Sequence, residues 1–150
     1  MQARRVGPVV VMAALLAVMV AATAVGAQGP ASGAKPRTVW DGVYSEEQAQ
    51  RGEAAYRKEC AMCHFANLLG EDFVPPLVEE RFLARWENDF VGNLFTVIQS
   101  TMPQDRPAEL SADTYADIVA YVLKKNQFPA GQQPLSKVPA DLMPIAFKKP

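Results

Sequence analysis

Apolar residues return at helical spacing in the second half of this chain. Tyr115, Ile118, Val119 and Val122 occupy positions i, i+3, i+4 and i+7, which predicts a helix with one buried stripe. Ser111 supplies a capping hydroxyl, Asp113 lies near the positive end, and Lys124 and Lys125 suit the negative end before Asn126 and Pro129 stop the helix. Phe90, Leu94, Phe95 and Ile98 predict another helix, ending near Ser100. Upstream, Ser45 followed by Glu46 and Glu47 opens a helix that runs to about Cys60. Gly52 and Tyr56 share a face of it. A glycine in a helix interior costs about 1 kcal/mol against alanine, so Gly52 is either a tolerated residue or a point where a second helix crosses closely. Glu79–Trp86 reads as a short helix. No stretch alternates as a long strand does, so the fold class is all-α, with three to five helices joined by loops.

The breakers fall between these segments. Phe65–Val78 holds Gly70, Pro75 and Pro76 and is a loop; Met102–Pro103 opens a second loop that runs through Pro107. Beyond the last helix, Pro129, Pro134, Pro139, Pro144 and Pro150 predict an extended tail of polyproline character without regular structure. Such a tail either packs on the domain as a strap through Leu142 and Ile145 or serves as an arm for a partner. At the other end, Arg4 and Arg5, the apolar run Val9–Ala22 and the small residues Val25-Gly26-Ala27 have the order of a secretory signal, with an uncleaved membrane anchor as the alternative. The expected organisation is a signal over 1–27, a flexible lead-in over 28–39, a domain over 40–129 and a proline-rich tail over 130–150.

Charge narrows the function. With 15 basic and 16 acidic residues among 150, the net charge is -1. That excludes a nucleic-acid binder, which needs a basic surface to displace phosphate counterions. Two cysteines and one histidine cannot build a disulfide framework or a four-ligand zinc site. Yet all three stand together, as Cys60-Ala61-Met62-Cys63-His64. This is the C-x-x-C-H sequence of c-type haem attachment. Two thiols three positions apart at a helix end reach both vinyl groups on one edge of a porphyrin, and the next residue places an imidazole beneath the iron. Dithiol or disulfide chemistry is the alternative, but it leaves the histidine unexplained and lacks the βαβ setting of thioredoxin-like motifs. For a sixth iron ligand, Met1, Met12 and Met19 lie in the signal and Met62 lies inside the attachment loop. Met102 and Met143 remain. Met102 is favoured, because Pro103 stiffens a loop between two helices that can hold a thioether over the ring.

These residues resemble a class I cytochrome c, in particular the small bacterial domains that accompany quinoprotein dehydrogenases. The resemblance runs from about Trp40 to Pro129 and rests on Gly52-x-x-x-Tyr56, Cys60–His64, Pro75-Pro76-Leu77, Met102-Pro103 and Asp117-Ile118-Val119-Ala120-Tyr121. It implies a cytochrome c-like fold around one covalent haem c. Its first and last helices would cross where Gly52 and Tyr56 meet Ile118 and Tyr121. It implies a Pro75 carbonyl that holds the axial imidazole and a Trp86 near the haem propionates. Two residues depart from the family pattern: Phe65 stands where glycine is frequent, and Gly70 is followed by Glu71 and Asp72. The function implied is a periplasmic one-electron carrier, not itself an enzyme, with redox proteins as donor and acceptor. A dedicated subunit of a larger dehydrogenase or oxidase is the second reading. A haem enzyme of peroxidase-like or gas-binding type is the third, and it requires that Met102 not bind.

Overall fold

Ser45 starts the first long helix, α1 (Glu46–Glu59), where its hydroxyl accepts from the Gln48 amide at 3.2 Å and two acidic residues fill the positive first turn. Five further helices follow: α2 (Ala61–His64), α3 (Glu79–Trp86), α4 (Val91–Thr101), α5 (Ala112–Lys125) and α6 (Pro139–Leu142). Two-residue strands β1 (Arg37–Thr38) and β2 (Ile145–Ala146) pair in parallel. The computed structural model describes residues 36–148. The expected export signal over 1–27 and most of the expected lead-in therefore lie outside the described residues. The fold is mainly α, as expected, with six helices among the described residues instead of three to five, since α2 and α6 are single turns of four residues each.

Helix α5 is the centre of the core. Its periodic stripe is buried, and so are Ala116, Ala120, Tyr121 and Leu123, because a helix flanked on several sides is apolar around most of its circumference. It crosses α1 at Gly52. A methyl group added to Gly52 would lie 1.8 Å from the Asp117 carbonyl oxygen and 2.9 Å from Tyr121 Cβ. Glycine here is a packing requirement. The Arg51 guanidinium closes the crossing with two 2.9 Å hydrogen bonds to the Asp117 carboxylate, and Tyr56 packs on Tyr121 with ring centroids 5.3 Å apart. Asp117 lies directly beneath Gly52, Tyr121 meets both Gly52 and Tyr56 as expected, and Ile118 borders the cavity described below.

The tail carries more structure than its prolines suggested. Leu135, Leu142, Ile145 and Phe147 are all buried. Pro139 stands in the first turn of α6, where a missing amide proton removes no helical bond. The Gln48 side chain, buried on α1, pairs with both backbone groups of Leu135, donating to its carbonyl at 3.1 Å and accepting from its amide at 2.6 Å. Gly131 seats the start of the tail against Gly42, where a methyl group would lie 2.0 Å from the Gly42 carbonyl oxygen. At its end, Phe147 packs against Phe82, Trp86 and Phe128. Ile145–Ala146 pairs with Arg37–Thr38, so part of the segment read as a flexible lead-in is ordered against the domain.

Two substitutions test this packing. Gly52→Ala gains about 1 kcal/mol of helix propensity but forces the helices apart. Overpacking of about 1–3 kcal/mol outweighs that gain, so a lower denaturation midpoint is expected in urea titration. Phe147→Ala removes a buried ring from a four-membered aromatic cluster, and a loss of about 3 kcal/mol is expected in the same measurement. A midpoint within error of the unaltered protein would mean that the tail is a loosely held arm.

Candidate cofactor site

One turn of helix builds the first wall. Cys60 ends α1 by donating its amide to the Tyr56 carbonyl at 2.9 Å, and its own carbonyl then accepts from Cys63 at 3.1 Å and His64 at 3.0 Å. Cys60 is partly buried, Cys63 is exposed, and the His64 ring is buried. All three border a cavity of about 850 Å³, a size within the range of cofactor pockets. Pro75, Pro76 and Leu77 form another side. Phe82 and Trp86 of α3, Leu94 and Ile98 of α4, and Ile118 and Val122 of α5 make its interior apolar.

The loop after His64 is folded back on the imidazole. His64 Nδ1 lies 3.0 Å from the Pro75 carbonyl oxygen. A carbonyl only accepts, so Nδ1 carries the proton and Nε2 is left with a free lone pair. Burial pushes the His64 pKa below its usual value, more strongly than the Pro75 hydrogen bond raises it. The ring is thereby kept neutral, the form that ligates metals. Gly70 makes the loop possible. It has φ of +61°, and a methyl group there would lie 2.1 Å from the Val74 carbonyl oxygen and 2.9 Å from that of Pro75. Glu71 and Asp72 sit exposed at the turn that Glu71 and Val74 close by two backbone hydrogen bonds of 3.1 and 2.6 Å. Their charge is accommodated in solvent.

A further part of the lining comes from the second proline loop. Met102 follows α4, with its amide bonded to the Ile98 carbonyl at 2.9 Å and its carbonyl accepting from the Tyr115 hydroxyl at 2.7 Å. Met102 borders the cavity, and the neighbouring Pro103 is buried. Met143 does not border it; its sulfur packs against Gly92 on α4. Met62 is at the rim and 90% exposed. Trp86 is buried between Phe82 and Phe147, with the Arg85 guanidinium 4.7 Å above its ring centroid.

Sequence reasoning missed the charged rim. Arg81 and Arg85, four apart on α3, both border the cavity, and that spacing was a readable signal of a shared face. Lys58, Glu59 and Arg106 also border it; no local pattern announces that Arg106 returns to the end of α1. Beside Glu59, burial pushes the Cys60 thiol up to about 11, with the Glu59 charge adding to the rise. At neutral pH Cys60 is a thiol and not a thiolate.

Among the described residues, no group of three or more His, Cys, Asp or Glu is placed to hold a metal ion directly. The donor set instead fits an iron already carried in a flat apolar ring: two thiols, an imidazole and a thioether-bearing residue all border the one apolar cavity. Comparison agrees with that chemistry. A protein-family model described as "Cytochrome C oxidase, cbb3-type, subunit III" matches residues 47–122, just over half of the chain. No curated protein and no solved structure matches.

The difference between the two thiols is measurable in chain prepared without cofactor. Iodoacetamide at pH 8 is expected to label exposed Cys63 well before Cys60, as read by peptide mass mapping. Cys60 holds its proton to about 11, so its lag closes as pH rises toward that value. The same raised pKa means that folded stability falls as pH rises from the ordinary thiol range through 11. Equal labelling of both thiols at pH 8 contradicts the burial of Cys60.

Proposed function

The chain belongs to this family of c-type cytochrome domains, whose role is haem-dependent electron transfer, and we propose that it is a monohaem one-electron carrier of the periplasm. One observation carries the reading. The Cys60–His64 turn and the Met102 loop border the same apolar cavity from different segments. Bound there, haem c supplies an iron that cycles between two oxidation states.

The chain's own residues have distinct tasks in this reading. Cys60 and Cys63 would hold the haem covalently, each thiol adding its sulfur and hydrogen across one vinyl group. His64 offers Nε2 to the iron, with its orientation held by the Pro75 carbonyl. Met102 offers its sulfur on the other side. A thioether would favour the reduced state and raise the potential, and with His64 and Met102 both holding the iron there would be no site for oxygen or peroxide. That supports a carrier over a haem enzyme. Trp86 and Arg85 of α3 border the cavity, where Arg85 would add positive charge suited to propionates. Redox partners approach at the rim, where Met62 is 90% exposed and Phe73 is fully exposed.

The family description names an oxidase subunit, which keeps open a standing place in a larger complex. The tail does not favour that second reading, since Leu135, Leu142, Ile145 and Phe147 lie in the domain's own core. Export through residues 1–27 remains part of the proposal and rests on the sequence pattern there. Among the described residues, no helix is long and apolar enough to cross a membrane.

The ligand reading has a direct spectroscopic test. Met102→Ala is expected to abolish the methionine–iron charge-transfer band of the oxidised holoprotein and to let carbon monoxide bind the reduced form. Met143→Ala is expected to change neither. Rapid carbon monoxide binding by the unaltered protein would favour the haem-enzyme reading instead.

A further inference from the structure

Glu59 immediately precedes the first cysteine of the attachment turn, and Arg106 lies four residues beyond Met102. Although they are 47 residues apart in sequence, the Arg106 guanidinium donates to Glu59 Oε2 at the cavity rim. The Glu59 side chain is only 8% exposed, against 35% for Arg106. Lys58 Nζ, 3.0 Å from Oε1, occupies the other carboxylate oxygen. Asp105 lies 3.8 Å from Arg106 Nε on the outer side. Exposed ion pairs contribute little, but this carboxylate is mostly withdrawn from water, so removing Arg106 leaves one of its oxygens without its charged partner and only Lys58 on the other.

The pair acts on Met102 through a short path. The Arg106 amide donates to the Pro103 carbonyl at 3.0 Å, closing a turn between the guanidinium and the methionine. The other holds on Met102, from Ile98 and from the Tyr115 hydroxyl, come from α4 and α5 and do not reach the Cys60–His64 turn. Among the described residues, Arg106–Glu59 is the ion pair that joins the two ligand-bearing segments.

We propose that Arg106 and Glu59 form a latch that holds the Met102 loop closed against the Cys60–His64 segment, keeping the thioether over the site and small ligands out. They are positioning residues that act through Met102, and the proposal rests on the reading of Met102 as an iron ligand.

The test compares holoprotein carrying Glu59→Gln, Arg106→Gln, both together, Arg106→Lys and Met102→Ala. The latch predicts that each glutamine variant speeds carbon monoxide binding to the reduced form by about fivefold or more. The double variant is expected to do no more than the larger single, and Arg106→Lys to recover part of the exclusion. On heating the oxidised protein, the methionine–iron band is expected to vanish at a lower temperature than in the unaltered protein, while unfolding followed by far-ultraviolet circular dichroism shifts much less. If band and unfolding shift together, the pair is merely structural and the latch is overturned. Unchanged carbon monoxide binding in both glutamine variants overturns it as well. If these fail while Met102→Ala still abolishes the band, the ligand reading stands without the latch. A band that survives Met102→Ala overturns both.

Discussion

The close crossing of α1 and α5 at Gly52 determines where every other part of the site can be. The missing side chain at Gly52 lets the backbone of α1 rest on the Asp117 carbonyl, and this fixes where α1 ends and the Cys60–His64 turn begins. Helix α5 then serves both proline loops. Near its start, the Tyr115 hydroxyl holds the Met102 carbonyl; at its C-cap, the Asn126 amide donates to the Leu77 carbonyl at 2.9 Å, beside the loop that carries Pro75. A change in helix separation would therefore move the imidazole wall and the thioether wall together. Close packing carries such displacements across a small core because there is no slack to absorb them.

What could be read in the sequence follows from the range of the interactions concerned. Helix caps, apolar stripes and the three-residue thiol spacing are local, and the structure has α1 and α5 starting right after Ser45 and Ser111. Loop boundaries were equally legible, because Gly70 and the prolines act on their own backbone. The tail was harder. Five prolines argue against regular structure, yet Pro139 occupies the position where a helix tolerates it, and the tail's order comes from Gln48 and from the aromatic cluster around Phe147, both remote in sequence. The Arg106–Glu59 pair escaped for the same reason.

The tail also changes the meaning of Trp86. The resemblance implies a place for it near the haem propionates. The ring borders the cavity and is backed by Phe147. Phe147 is in turn fixed by backbone hydrogen bonds with Asp89 at 2.9 Å and Asn88 at 3.2 Å, just beyond the end of α3. The last segment of the chain thus buttresses the outer side of the helix that closes the cavity. A tail performing that task is part of the domain, and the boundary drawn at residue 129 divides a single packing unit.

Phe65 shows how the site tolerates a residue its backbone does not suit. It follows His64 with φ of 59° and ψ of 163°, a region essentially reserved for glycine, where another residue costs about 1–3 kcal/mol. The family's frequent glycine at this position answers that geometry. Here the conformation is held by its surroundings: the Phe65 carbonyl accepts from the Tyr56 hydroxyl at 2.8 Å and from the Leu68 amide at 3.2 Å. Tyr56 is itself buried against Tyr121 at the α1–α5 crossing. The strained turn that aims the chain from His64 toward Pro75 is therefore fastened to the most tightly packed point of the fold. The imidazole inherits its orientation from the same helix pair that sets the rest of the cavity.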